Sequence, residues 1–247
     1  MRLVQLTDCH LHADPAARSR IGLPLRQLEA VVAAAARERP DLALVTGDVS
    51  EDQTPASYRL AEQALAGLGC PWVWLPGNHD APAPMAACHP FQECLELDGW
   101  RALLLDTQVV GEPRGELGKA QLSTLEARLA QDDRPTLLVM HHPPMAVGSA
   151  WLDALGLMDA EAFQDRVAPY GQVKAILCGH IHQAFAGWLP DPSGAPGTIR
   201  VYGCPATSDQ FLPGSAAFAV EAATRPGYRI IDLKGNELTT RVTRVDP

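Results

Sequence analysis

"KAILCGHIHQ", residues 174–183, decides the fold. A strand-like apolar run, Lys174 to Cys178, ends abruptly in glycine and two histidines at i and i+2. The same grammar recurs upstream. "RLVQLT" (2–7) runs into Asp8-Cys9-His10, and "DLALVTGD" (41–48) ends on Asp48. "WVWLPGNHD" (72–80) ends on Asn78 and His79, and "TLLVMHH" (136–142) ends on His141 and His142. Helical patterns lie between these runs. "LRQLEAVVAAAARER" (25–39) stops before Pro40, "ASYRLAEQALAGLG" (56–69) closes on glycine, and "KAQLSTLEARLAQ" (119–131) follows a strand at "RALLLDT" (101–107). Beyond His182 the pattern changes. "GTIRVYG" (197–203), "AAFAVEA" (216–222), "GYRIIDL" (227–233) and "ELTTRVTRV" (237–245) read as antiparallel strands. The Pro/Gly-rich stretches 81–90, 111–118 and 190–197 read as loops. The expected class is α/β, a sandwich of two mixed sheets flanked by helices, with residues 1–247 in one domain and the strands of 198–245 part of the sandwich.

Composition narrows the function. Of the 247 residues, 47% are hydrophobic and 20% charged, enough for a sizeable core. A net charge of -9 argues against nucleic acid or a membrane surface as partner, because both are polyanions. No apolar run approaches the roughly 20 residues that span a bilayer. The start "MRLVQLTDCH" enters a strand directly, without a signal-peptide pattern. The six cysteines are scattered with no CxxC pair, which points to reduced thiols and a cytoplasmic location.

Six of the eight histidines fall in the strand-end clusters. In open α/β sheets, ligands bind at the carboxyl ends of strands, so clusters far apart in sequence can share one pocket. Carboxylate, amide oxygen and imidazole suit manganese, iron and zinc. If the backbone stays extended, the i, i+2 spacing aims Asp8 with His10, and His180 with His182. Glycines 47, 77 and 179 allow close approach of the chain. Seven candidate ligands are too many for one tetrahedral ion. Two ions roughly 3.5–4 Å apart, sharing a carboxylate, fit better. Each short motif alone is a common turn or cap. The five in this order leave coincidence little room.

Taken together, Asp8-x-His10, Gly47-Asp48, Gly77-Asn78-His79-Asp80, His141 and Gly179-His180-x-His182 resemble the calcineurin-like metallophosphoesterases. "CPWVWLPGNHD" (70–80), "LLLDTQVVGEPRGELG" (103–118), "SAWLDALGL" (149–157) and "VKAILCGHIHQ" (173–183) are similar to the bacterial class III 3′,5′-cyclic-nucleotide phosphodiesterases within that family. The resemblance implies a four-layer αββα sandwich. It assigns one metal to Asp8, His10, Asp48 and His182, and a second to Asp48, Asn78, His141 and His180. It implies a substrate site of His10, Asn78, His79, His141 and His182, with Asp48, Asn78 and His79 catalytic. Iron or manganese is favoured, with zinc or cobalt as alternatives. The implied reaction is attack of a metal-bridging hydroxide on cyclic AMP, giving 5′-AMP, with His79 protonating the leaving oxygen. The partner is then a small anionic phosphodiester, and the chain is free to form a homodimer. Other substrates carry the same motifs: a glycerophosphodiester, a 2′,3′-cyclic nucleotide, a linear nucleotide or a phosphomonoester. A non-catalytic scaffold would show decayed ligands, and here all are intact.

The neighbours of the motifs carry weaker expectations. Asp80 orients His79 or caps a turn. His12 reads as an exposed loop histidine, with the substrate rim as the alternative, and His89 as plain loop. Trp151 covers the site or packs on the sandwich, and the resemblance implies that the turn-rich 202–211 segment lies near the metals.

Overall fold

Period-two alternation within the strands builds the layers of the fold. The computed structural model describes residues 1–247. The first sheet has the order β11-β10-β1-β2-β3. Its strands are β1 (Arg2–Leu6), β2 (Leu42–Thr46), β3 (Trp72–Leu75), β10 (Gly227–Lys234) and β11 (Glu237–Arg244). The second has the order β4-β5-β6-β7-β9-β8. It comprises β4 (Cys94–Leu97), β5 (Trp100–Leu104), β6 (Thr136–Val139), β7 (Val173–Cys178), β8 (Phe185–Trp188) and β9 (Arg200–Gly203). Alternate residues of each strand face opposite ways. Leu3, Leu44, Val73 and Leu75 join Leu137, Val139, Ala175 and Leu177 in a core between the sheets. Their neighbours Val4, Val45 and Trp74 pack under α1 (Pro24–Arg37), α2 (Pro55–Leu65) and α3 (Pro82–Cys88). On the far side, Leu138 and Ile176 pack under α4 (Gly118–Gln131) and α6 (Ala160–Val167). A short helix, α5 (Ala150–Asp153), stands beside the strand ends. The result is the expected αββα sandwich.

Strands β1, β2 and β3 are mutually parallel, as are β5, β6, β7 and β9. Their carboxyl ends therefore gather the following turns at one edge of each sheet. Gln5 ties the two edges beneath that point, its amide donating to Thr46 Oγ1 at 2.9 Å and to the Cys178 carbonyl at 3.1 Å. Buried Arg229 on β10 makes a second tie, donating to the carbonyls of Phe185 and Gly203 at 3.0 and 2.8 Å. The hydrogen bonds of its two terminal nitrogens offset part of the cost of burying a guanidinium whose Nε has no partner.

Four local expectations change. Residues 81–90 are not a loop, because Pro82 begins α3, where a missing N–H costs nothing. His89 caps the packing there: it stacks on Trp72 at 4.0 Å, and its carbonyl accepts from Trp74 Nε1 at 2.7 Å. The segment 216–222 is not a strand, since only Val220 bridges, to Phe211. Strand β9 is antiparallel to β8 but parallel to β7, so it extends the second sheet while β10 and β11 return to the first.

Candidate metal centre

The turns after five parallel strands bring the seven expected ligands together. Asp8 and His10 follow β1, Asp48 follows β2, Asn78 follows β3, His141 follows β6, and His180 and His182 follow β7. The extended geometry expected for the i, i+2 pairs does not occur. Asp8, His10, Asp48, His180 and His182 all have positive φ, between 48° and 67°. Such a conformation costs about 1–3 kcal/mol per residue and persists only where surrounding bonds hold it. Here the loops hold one another. Asp8 N and His10 N donate to the carbonyls of Gly47 and Asp48, each at 3.0 Å. The Asp8 carboxylate accepts from His180 N at 3.1 Å. Ile181, between the paired histidines, is fully buried.

Close approach of these loops explains the glycines. A Cβ on Gly77 would lie 2.5 Å from Asp48 N and 2.7 Å from His141 Cε1. One contact is backbone and the other is a buried ring, so neither can yield. Gly77→Ala is expected to cost about 1–3 kcal/mol through overpacking. It should also loosen metal retention, and thermal unfolding with and without metal checks both effects.

The histidines are oriented from behind. His10 Nδ1 lies 2.8 Å from Glu51 Oε2, His141 Nδ1 is 2.7 Å from the Thr46 carbonyl, and His182 Nδ1 is 2.7 Å from the Asp209 carbonyl. Each acceptor fixes a proton on Nδ1 and leaves Nε2 to face the cluster. His10 Nε2 and His182 Nε2 then stand 3.2 Å apart. Asp8 Oδ1 is 3.3 Å from His182 Nε2, and Asp48 Oδ2 is 3.4 Å from His141 Nε2 and 3.7 Å from His10 Nε2. Asn78 Oδ1 lies 3.1 Å from His141 Nε2 and 3.0 Å from His180 Nδ1. Lone pairs crowded this closely repel unless protons or metal cations lie among them, and the mixed N/O donor set fits divalent ions. Of the two adjacent histidines, His141 turns Nε2 into the cluster. His142 instead bonds Thr107 Oγ1 at 2.8 Å and the Pro113 carbonyl at 3.3 Å.

Charge balance without metal follows from the same contacts. Burial alone would keep His10 neutral, but Glu51, Asp48 and Asp8 outweigh it and raise its pKa to about 9. Burial likewise opposes protonation of His141, and Asp48 and Asp8 outweigh it, again to about 9. Burial and the His141 charge push His142 down to about 3. Below pH 9, His10 and His141 therefore hold protons that a metal must displace. Metal affinity is expected to rise with pH between 6 and 9, by about tenfold per unit for each proton displaced. Calorimetric titration in buffers of different ionisation enthalpy measures the protons released.

Glu51 escaped the sequence reading, because one carboxylate three residues after Asp48 carries no motif of its own. Its Oε2 also lies 3.0 Å from His79 Nδ1. The Glu51 hydrogen bond outweighs burial and raises the His79 pKa above its ordinary value. Asp80 does not contact the His79 ring. Its carboxylate clamps the turn, accepting from Val49 N, Ser50 N, Gly77 N and Tyr58 OH at 2.9 to 3.2 Å. Burial and neighbouring Asp48 raise its pKa to about 6. Cys9, the thiol nearest the motifs in sequence, is buried, and its pKa is pushed up to about 12 by that burial. A thiolate is therefore unavailable there. The 202–211 segment does reach the centre, through the Asp209 carbonyl and through Phe211, which stacks on His182 at 3.9 Å. His12 and Trp151 line the adjoining cavity.

The geometry agrees with comparisons to known proteins. The family model described as calcineurin-like phosphoesterase matches residues 1–184. The 3′,5′-cyclic adenosine monophosphate phosphodiesterase CpdA of Vibrio vulnificus is 40% identical over 255 residues, covering 99% of this chain and 90% of that protein. The CpdA protein of Pseudomonas aeruginosa is 38% identical over 252 residues, with the same coverage. A dimetal phosphatase from Danio rerio superposes with a TM-score of 0.67 at 14% identity over 99% of both chains, a likeness of fold alone. With its family model covering most of the sequence and its strand-end residues gathered into one cluster, this chain belongs to the calcineurin-like phosphoesterases.

Proposed function

We propose that this protein is a binuclear-metal phosphodiesterase that hydrolyses 3′,5′-cyclic AMP to 5′-AMP. The facing Nε2 atoms of His10 and His182, each with Nδ1 engaged behind it, carry the metal reading. The names of the relatives, matched over nearly the whole chain, support the substrate. Asp8, His10, Asp48 and His182 would hold one ion, and Asp48, Asn78, His141 and His180 the other, with iron or manganese suited to these donors. When bound, the ions supply Lewis acidity and a nucleophile at neutral pH.

The chain's own residues do the rest. Asp48 sets the position of His79, whose backbone N–H donates to Asp48 Oδ1 at 2.9 Å. His79 is bonded to Glu51 through Nδ1 and lines the cavity, so Nε2 is the atom that can protonate the departing ribose 3′-oxygen. His10, Asn78, His141 and His182 surround the phosphoryl group. Six free cysteines suit the reducing cytoplasm.

The test is a substrate panel on manganese-loaded protein, reporting kcat/KM. Cyclic AMP is expected to exceed a 2′,3′-cyclic nucleotide, a glycerophosphodiester and an aryl phosphomonoester. A higher value for any of these three would replace the proposed substrate.

A further inference from the structure

The cavity beside the cluster, about 710 Å³, exceeds what a phosphoryl group needs. Beyond the cluster residues, its wall includes Arg18 and Arg20 from the loop between β1 and α1, Trp151 from α5, and Phe211 and Phe218 from the segment before β10. The three aromatic rings meet edge to face. Trp151 lies 5.1 Å from Phe211 and 5.2 Å from Phe218, and Phe211 lies 5.3 Å from Phe218. The Arg20 guanidinium sits over Phe218, 4.6 Å from its centroid.

This wall is tied to the metal cluster by one residue. Asp209 Oδ1 accepts from Ser19 Oγ at 2.7 Å, and Oδ2 accepts from Arg20 N at 2.9 Å. The Asp209 carbonyl accepts from His182 Nδ1 at 2.7 Å. The arginine loop and an expected metal ligand are thus fixed to the same short segment. Phe211 stacks on His182 and touches Phe218, so Phe218 stands two ring contacts from the cluster, a reach comparable with a nucleoside. Phe218 is 46% exposed and lines the cavity, so part of its ring is free of core packing.

We propose that Arg20, Phe218 and Trp151 form a subsite for the nucleobase of a nucleotide whose phosphate lies at the cluster. Flat rings and a flat guanidinium reward a planar heterocycle by stacking, and the guanidinium N–H groups meet the acceptor nitrogens of a purine edge. A glycerol or simple alkyl ester has no π-face and gains nothing from this wall. The subsite deepens the proposed function and rests on it for the placement of the phosphate.

Equilibrium binding of 5′-AMP and of inorganic phosphate to manganese-loaded protein tests the subsite. In Phe218→Ala and Arg20→Ala, the preference for 5′-AMP over phosphate is expected to fall about tenfold, the usual scale of one lost stacking contact. Phe218→Tyr is expected to keep the wild-type preference. An unchanged preference in both alanine variants, including parallel loss of both ligands, overturns the proposal. Cyclic AMP turnover by the wild type stands apart from this ratio. If the wild type does not turn over cyclic AMP but the preference falls in the variants, the cyclic-diester reading is removed and the base subsite stands.

Discussion

Replacing Asp48 with alanine is expected to remove metal retention and lower kcat/KM for a phosphodiester by at least about 10³-fold, beyond the loss for a single electrostatic stabiliser. Three contacts converge on this carboxylate. Oδ2 faces His141 and His10 at 3.4 and 3.7 Å, and Oδ1 accepts the His79 N–H at 2.9 Å. No other side chain touches both halves of the cluster and also the turn that carries His79. Removing it leaves His10 and His141 without their shared counter-charge and frees the His79 turn. Asp48→Asn separates these roles, because it keeps the shape and removes the charge. It is expected to lose metal nearly as completely while staying folded. Metal content by elemental analysis, with circular dichroism to verify folding, checks the pair. Full metal content in Asp48→Ala would exclude a bridging role.

His79→Ala is the second large effect, with an expected loss of about 10²–10⁴-fold in kcat and metal content retained, the range for a general acid. The pH profile distinguishes this role from mere positioning. The Glu51 hydrogen bond is the main cause raising the His79 pKa, opposed by burial and supported by Asp48. A raised pKa enlarges the protonated share of the imidazole at any given pH, so the donor is present below that pKa and is lost as pH rises through it. Glu51→Gln removes the largest raising influence. The alkaline limb of the kcat profile should therefore move to lower pH. A limb that stays in place would assign proton donation to another group.

Much of this was legible in the sequence. The ends of β1, β2, β3, β6 and β7 announce themselves because each apolar run stops at glycine or at a ligand-type side chain. Two patterns misled for identifiable reasons. Pro82 and Pro84 read as breakers, yet a proline in the first helical turn forfeits no hydrogen bond, and α3 forms around buried Met85. "AAFAVEA" alternates like a strand but bridges only at Val220, to Phe211, and its aromatic residue turns to the cavity instead. Strand β4 has one local signal, Asp98-Gly99, both at positive φ between paired Leu97 and Trp100, a two-residue hairpin turn. Glu51 was out of reach, and nothing singled out Asp209 or Phe211 within the 202–211 segment, because each acts through a residue distant in sequence and none belongs to a spaced motif. The i, i+2 histidines show the reverse case: both reach the cluster, but the extended backbone invoked for them does not occur.

The most direct measurement titrates metal-free protein with manganese while following both bound metal and conversion of 3′,5′-cyclic AMP. The account predicts that activity climbs to a plateau at two bound ions per chain and that the product is 5′-AMP. Full activity in metal-free protein, or two bound ions with no 5′-AMP released, would contradict it.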